Sequence, residues 1–190
     1  MTNAGFTSAS QYRDVESLHY FDILKESGID EAEVCEILRQ RSRDNSRTPM
    51  QWSDGVNAGF TSAVPWIEVN RNHTTINAEE CLEDSDSIFY YYQKLIRLRK
   101  EYDVISEGGY EPILEDHEAV FAYKRIYGGE TLIVLTNFTD TCQFIEAADI
   151  KLSEEELTEY KTLIANDGLL RSAAGIRLAP YGAVMLIREP

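Results

Sequence analysis

The residues best suited to chemistry crowd into one short stretch, "RSRDNSRTPMQWSDGVNAGF" at residues 41 to 60. Arg43 and Arg47 stand on either side of Asp44, and Gln51 and Trp52 come after Pro49. A guanidinium presents its N–H donors in a rigid fork that suits carboxylates and hydroxyls. From the residues alone, Arg43 reads as a structural ion pair with Asp44 or another acid. Arg47 reads as a tie between the loop and nearby carbonyls or acids. Asp44 and Asn45 are types that cap local turns, and Pro49 stiffens the chain. Trp52 has two uses open to it, as an apolar platform for a ligand or as buried packing.

Other reactive side chains are scattered. His19, His73 and His117 have no metal-ligand spacing, nor do Cys35, Cys81 and Cys142. We therefore expect no metal and no cofactor. An odd number of distant cysteines fits reduced thiols in a cytoplasmic protein. The formal charge of −15 repels phosphate, which argues against a nucleic-acid or membrane-surface partner. No apolar run reaches transmembrane length. Met1 opens a polar segment unlike a secretory signal, so a cytoplasmic location is the expectation.

The elements that must position the loop can be read from periodicity. "ASQYRDVESLHYFDILKES" predicts a helix over 9 to 27, with Ser10 as N-cap and Gly28 as stop. Asp30 caps a second helix, whose Val34, Ile37 and Leu38 share a face. The loop then runs for about thirty residues, long enough to favour function or disorder. Trp52, Phe60 and Trp66 argue for order, because large aromatics stabilise by burial. "DSDSIFYYYQKLIRLRKEYD" predicts a third helix, acidic at its start and basic near its end. Ile88, Tyr92, Leu95 and Ile96 make one stripe, and Tyr91, Leu98 and Tyr102 make an adjoining one. So wide an apolar face serves two neighbours. Tyr90 to Tyr92 point in different directions on a helix, which favours packing over a sugar-stacking strip.

From about residue 108 the pattern turns to short β-rich runs: "YEPILE", "AVFAYKRIY", "ETLIVLTNF", "CQFIEAA", "KTLIAND" and "IRLAPYGAVMLIRE". Gly128-Gly129 makes a hairpin turn, and "TLIVLTNF" is apolar on both faces, as a central strand should be. These runs predict an antiparallel sandwich of roughly 80 residues. "SEEELTE" reads as a solvated loop or helical turn. The fold class is α+β, with helices and a long loop before an all-β sandwich.

"SRDNSRTPMQW" and, after it, "NAGFTSAVPWIEVN" resemble the segment beyond the eighth barrel strand in α-glucosidases of glycoside hydrolase family 13. Oligo-1,6-glucosidases, dextran glucosidases and trehalose-6-phosphate hydrolases carry such strings. "MTN" with "YRDVESLHY" resembles the segment immediately after the last barrel strand, and "DSIFYYYQKLIRLRK" resembles the eighth barrel helix. The β-runs resemble the family's C-terminal sandwich. The resemblance implies that residues 1–106 form the end of a (β/α)8 domain and 107–190 form that sandwich.

It also implies that the nucleophile, the acid/base and a third carboxylate stand on strands earlier than this chain, which looks like a C-terminal fragment or truncated product. A retaining glycosidase needs two carboxyls about 5 Å apart. Asp84 and Asp86 read as a helix cap and Glu154 to Glu156 as a surface run, so we expect the isolated chain to be inactive. In the intact enzyme the resemblance gives Arg43 a sugar hydroxyl at the −1 position. Arg47, Gln51 and Trp52 are weaker substrate-binding candidates. The expected activity is cleavage of short α-1,6-linked oligosaccharides with retention. A trehalose-6-phosphate hydrolase and a non-catalytic carbohydrate-binding or interaction module are the alternatives. Exposed aromatics would favour the module, but the sandwich face reads mostly aliphatic. The expected partners are a glucosyl oligosaccharide and, through helix 88–102, the missing barrel or a second copy.

Overall fold

A computed structural model describes residues 2–166 and 169–190. Two compact units divide the chain at Tyr90 and Tyr91.

The first unit holds α1 (Val15–Glu26), α2 (Glu31–Arg41) and α3 (Ala78–Glu83), with α4 (Ile88–Glu101) beginning at its end. The helix expected over 9 to 27 is broken. A short 3-10 turn covers Ala9–Gln11, capped by Ser8, and α1 starts only after Asp14, whose side chain accepts from the Ser17 N–H. The break has a physical cause. The N–H groups of Arg13 and Asp14 are both taken by the carboxylate of Asp44, so residues 12 to 14 cannot join a helical ladder. Gly28 ends the helix in a left-handed conformation, with φ of 84°. Asp30 caps α2 as its sequence predicts, and Val34 and Leu38 turn inward onto Phe6, Tyr12 and Ile67. Phe6 and Tyr12 meet edge to face at 5.2 Å.

The long loop is ordered by short local devices. 3-10 turns span Arg43–Ser46, Val56–Gly59 and Arg71–Thr74. The helix α3 lies inside what the sequence reads as loop, and Asn77 caps it. Asn57, Ala58 and Gly59 are consecutively left-handed, with φ of 51°, 55° and 66°. The Ala58 carbonyl there accepts from the N–H of both Trp52 and Ser53. Asparagine amides stitch the segment near the start to the rest. Asn70 Nδ2 donates to the Asn3 carbonyl and Asn72 Nδ2 to Thr2 Oγ1, each at 2.7 Å. Asn45 Oδ1 accepts from the Ala4 N–H.

The second unit is the antiparallel sandwich. Its strands are β1 (Gly109–Ile113), β2 (Val120–Tyr127), β3 (Glu130–Asn137), β4 (Gln143–Glu146), β5 (Lys161–Ala165), β6 (Leu170–Arg171), β7 (Gly175–Leu178) and β8 (Ala183–Arg188). A five-stranded sheet has the order β1-β2-β3-β8-β5, and a three-stranded sheet the order β4-β7-β6. The last β-rich run divides into β7 and β8 about a turn at Ala179 to Gly182. Gly128 and Gly129, both at positive φ, close the β2-β3 hairpin. Between the sheets lie Ile133, Leu135 and Leu186 from one side and Ile145, Ile176 and Leu178 from the other. On the outer face, Leu132 and Ile187 are covered by Tyr102 and by Val104 and Ile105 of α5 (Asp103–Glu107). So β3 is buried on both faces. The charge run forms α6 (Glu154–Glu159), opened by a capping box between Ser153 and Glu156 and anchored by buried Leu157.

The two stripes on α4 differ in exposure. Leu98 is buried, while Ile88, Tyr92 and Ile96 are exposed. Tyr90 donates its hydroxyl to the Leu82 carbonyl. The aliphatic reading of the sandwich surface is corrected: Tyr110, Phe121, Phe138 and Phe144 are exposed. Alternation along β2 puts Phe121 outward between buried Val120 and Ala122, and along β4 it puts Phe144 outward beside buried Ile145.

Candidate functional site

The loop after α2 begins at Ser42, whose hydroxyl accepts from the Asp44 N–H and starts the 3-10 turn over Arg43–Ser46. This turn points Arg43 outward and Asp44 inward. Arg43 reaches a cleft of about 610 Å³ between α1 and α2, lined among others by Asp14, Glu16, Tyr20, Ile37 and Arg41. Its most buried lining residues are Asp14, Ser17, Leu38 and Ser42, so polar groups reach into the cleft beside one aliphatic side chain.

Arg43 does not pair with Asp44. Its Nη2 lies 3.1 Å from Asp14 Oδ1 and 2.6 Å from a Glu16 carboxylate oxygen. Asp14 is only 5% exposed, Glu16 71% and Arg43 57%. One partner is therefore fixed inside the protein and the other is free at its surface. Arg47 joins the same centre, with Nη1 3.3 Å from Asp14 Oδ1 and 3.7 Å from Asp44 Oδ1. Asp44, fully buried, spends its other oxygen on the N–H groups of Arg13 at 2.6 Å and Asp14 at 2.9 Å. It ties two distant segments together instead of capping a local turn.

Burial pushes the Asp14 carboxyl up, but the side-chain and backbone hydrogen bonds from Ser17, then the Arg43 charge, outweigh it. The net effect holds Asp14 below the usual aspartate range. Beside this network, burial and then Cys35 push the Tyr12 phenol up to about 12.

The sequence-derived candidates thus separate. Arg43 and Arg47 converge on Asp14. Gln51 is buried and donates to Asn72 Oδ1 at 3.0 Å and to the Ile76 carbonyl at 2.6 Å. Trp52 is half exposed on the turn closed by Ala58. Neither lines the cleft of Arg43. Sequence reasoning passed over Asp14 and Glu16. The signal that could have found Asp14 was "RDVES", an acid at a helix start, which marks it as an N-cap. Among the described residues no group of three or more His, Cys, Asp or Glu could hold a metal ion. No helix among them is long and apolar enough to cross a membrane.

Comparison with known proteins sets this site in a family. The family model of the alpha-amylase catalytic domain matches residues 2–108. The trehalose-6-phosphate hydrolase of Bacillus subtilis is 43% identical over 185 residues, covering 97% of this chain and 33% of the relative. The oligo-1,6-glucosidase of Bacillus cereus is 43% identical over 187 residues, with the same coverage of each. The crystal structure of Bacillus licheniformis trehalose-6-phosphate hydrolase superposes with a TM-score of 0.90 at 47% identity, covering 98% of this chain and 34% of that one. The chain spans about a third of the length of the curated relatives it matches, and the match falls on their C-terminal part. The chain belongs to the alpha-amylase family of glycoside hydrolases, glycoside hydrolase family 13, and corresponds to the C-terminal third of its α-glucosidase-type members.

Proposed function

We propose that this chain is the C-terminal region of a retaining α-glucosidase acting on short α-1,6-linked oligosaccharides, and that Arg43 binds a hydroxyl of the terminal glucose. The observation that carries this reading is the half-exposed Arg43 guanidinium, held at a cleft by a buried carboxylate. A fork so held keeps donors free for a hydroxyl without the entropy cost of ordering a long side chain on binding. Arg47, more enclosed and shared by two buried acids, serves the scaffold. Residues 1–106 make up the end of the barrel domain and 107–190 the sandwich, a division supported by the family match ending at residue 108. In this reading the 190-residue chain has no turnover by itself, and the acids beside Arg43, Asp14 and Asp44, serve as hydrogen-bond acceptors of the scaffold.

The test replaces the matched third of Bacillus cereus oligo-1,6-glucosidase by this chain and measures isomaltose hydrolysis. Loss of a hydrogen bond to a charged group costs about 1.5–3 kcal/mol. Arg43→Ala should therefore lower kcat/KM by about 10- to 150-fold. Equal turnover with and without Arg43 would refute the assignment.

A trehalose-6-phosphate hydrolase is the second reading, favoured by a relative of that name at the same 43% identity. The same chimera offered trehalose 6-phosphate, and its counterpart built on the Bacillus subtilis relative, compare the two. The exposed Ile88, Tyr92 and Ile96 stripe on α4 supports association with the rest of a catalytic domain or with a second copy.

A further inference from the structure

We propose that Asp14 is the positioning residue of this site: its buried carboxylate sets the place of Arg43, and Asp44 in turn fixes Asp14. The assignment rests on the reading of Arg43 as a sugar-binding group only for its purpose, not for its geometry.

Three observations carry it. Among the described residues Asp14 is the one acid that Arg43 and Arg47 share, at 3.1 and 3.3 Å through the same oxygen, Oδ1. Its second oxygen accepts from the Ser17 N–H at 3.1 Å and the Ser17 hydroxyl at 2.9 Å, which fixes the carboxylate plane. Ser17 also links this pair to the loop, its hydroxyl oxygen lying 2.8 Å from that of Ser42. Asp44 Oδ2 then holds the Asp14 N–H at 2.9 Å, so the backbone that carries the carboxylate is fixed as well.

Glu16 contributes differently. It contacts Arg43 at 2.6 Å but stands 71% exposed. An exposed ion pair is worth little and its side chain is free to leave. A buried acid with its remaining lone pairs occupied cannot leave without stripping the buried Ser17 N–H and hydroxyl of their acceptor. Asp14 therefore places the guanidinium, and Glu16 adapts to it.

The experiment uses the 190-residue chain and nitrogen-15 NMR of its arginine side chains. A guanidinium held by Asp14 gives separate Nη signals, because rotation about the Nε–Cζ bond is slowed. Asp14→Asn keeps an N-cap of comparable strength but removes the charge. It should merge the Nη signals of Arg43, while Glu16→Gln should leave them separate. Asp14→Ser, also a competent cap, repeats the test in a second background, with far-UV circular dichroism reporting retention of α1. Separate Arg43 signals in both Asp14 variants, or their loss in Glu16→Gln, would overturn the assignment. Titration with isomaltose reads the other question. In the chimera with the Bacillus cereus relative, Arg43 signals that isomaltose leaves unmoved would sink the sugar reading, and merging by Asp14→Asn in the 190-residue chain would let the positioning role stand.

Discussion

Asp44 grips Asp14 through the main chain, its Oδ2 accepting the Asp14 N–H at 2.9 Å and the neighbouring Arg13 N–H at 2.6 Å. The two aspartates are thirty residues apart, so a loop after α2 dictates where α1 begins. Buried like charges are tolerated here because Arg43 and Arg47 lie against them.

Removing the acceptor should be costly. Asp44→Ala leaves two N–H groups without a partner, at about 1–3 kcal/mol each when buried. We expect about 3 kcal/mol less stability by urea denaturation. Asp44→Asn retains one acceptor oxygen and should lose less. Equal losses in the two variants would show that charge, not hydrogen-bond acceptance, is what the site needs.

Acid should loosen the same unit. Asp14 binds its proton less readily when folded than when unfolded. Its contribution to stability is present above the unfolded value, about 3.9, and disappears as pH falls through the lower folded value. Arg43, Arg47, Ser17 and Asp44 are the groups that face it. Thermal melts should fall below about pH 4, and Asp14→Asn should show a shallower fall. An identical acid dependence in the variant would assign the effect to other carboxylates.

Gly175 has no room for a side chain. A Cβ there would overlap the Ile145 carbonyl oxygen and stand 2.8 Å from the Phe144 ring. Gly175→Ala must push β7 away from β4, and strain of this kind typically costs about 1–3 kcal/mol. Urea denaturation should register a loss of about 2 kcal/mol; no change would mean that the three-stranded sheet yields easily.

The exposed stripe on α4 should be sticky. Ile88, Tyr92 and Ile96 recur at four-residue spacing, on one side of the helix. Light scattering should find association that rises with protein concentration, and Ile96→Lys with Tyr92→Lys should abolish it. A monodisperse monomer at all concentrations would dismiss the stripe as an association surface.

Legibility in the sequence tracks the range of the forces involved. Asp30 as a cap, the Gly128-Gly129 hairpin and the two-faced strand around Ile133 depend on neighbours in the chain, so local pattern is enough to find them. The two-stripe face of α4 is legible for the same reason. The break before α1 is not, because its cause is a carboxylate thirty residues away. Nor is the choice of partner for Arg43: Asp44 is adjacent in sequence, yet the 3-10 turn sends the two side chains in opposite directions. The helix α3 is hidden by its brevity, six residues with a single capping asparagine.

The asparagine stitching has a consequence on a slower clock. Asn70 and Asn72 hold the segment near the start through their Nδ2 donors, aimed at the Asn3 carbonyl and the Thr2 hydroxyl oxygen. Spontaneous hydrolysis of either amide would replace that donor with a carboxylate oxygen. In Asn70 the new charge would face a carbonyl oxygen and repel it. Storage would then loosen the Thr2 and Asn3 end of that stitching with no bond in the main chain cut, while Asn45 still holds the Ala4 N–H.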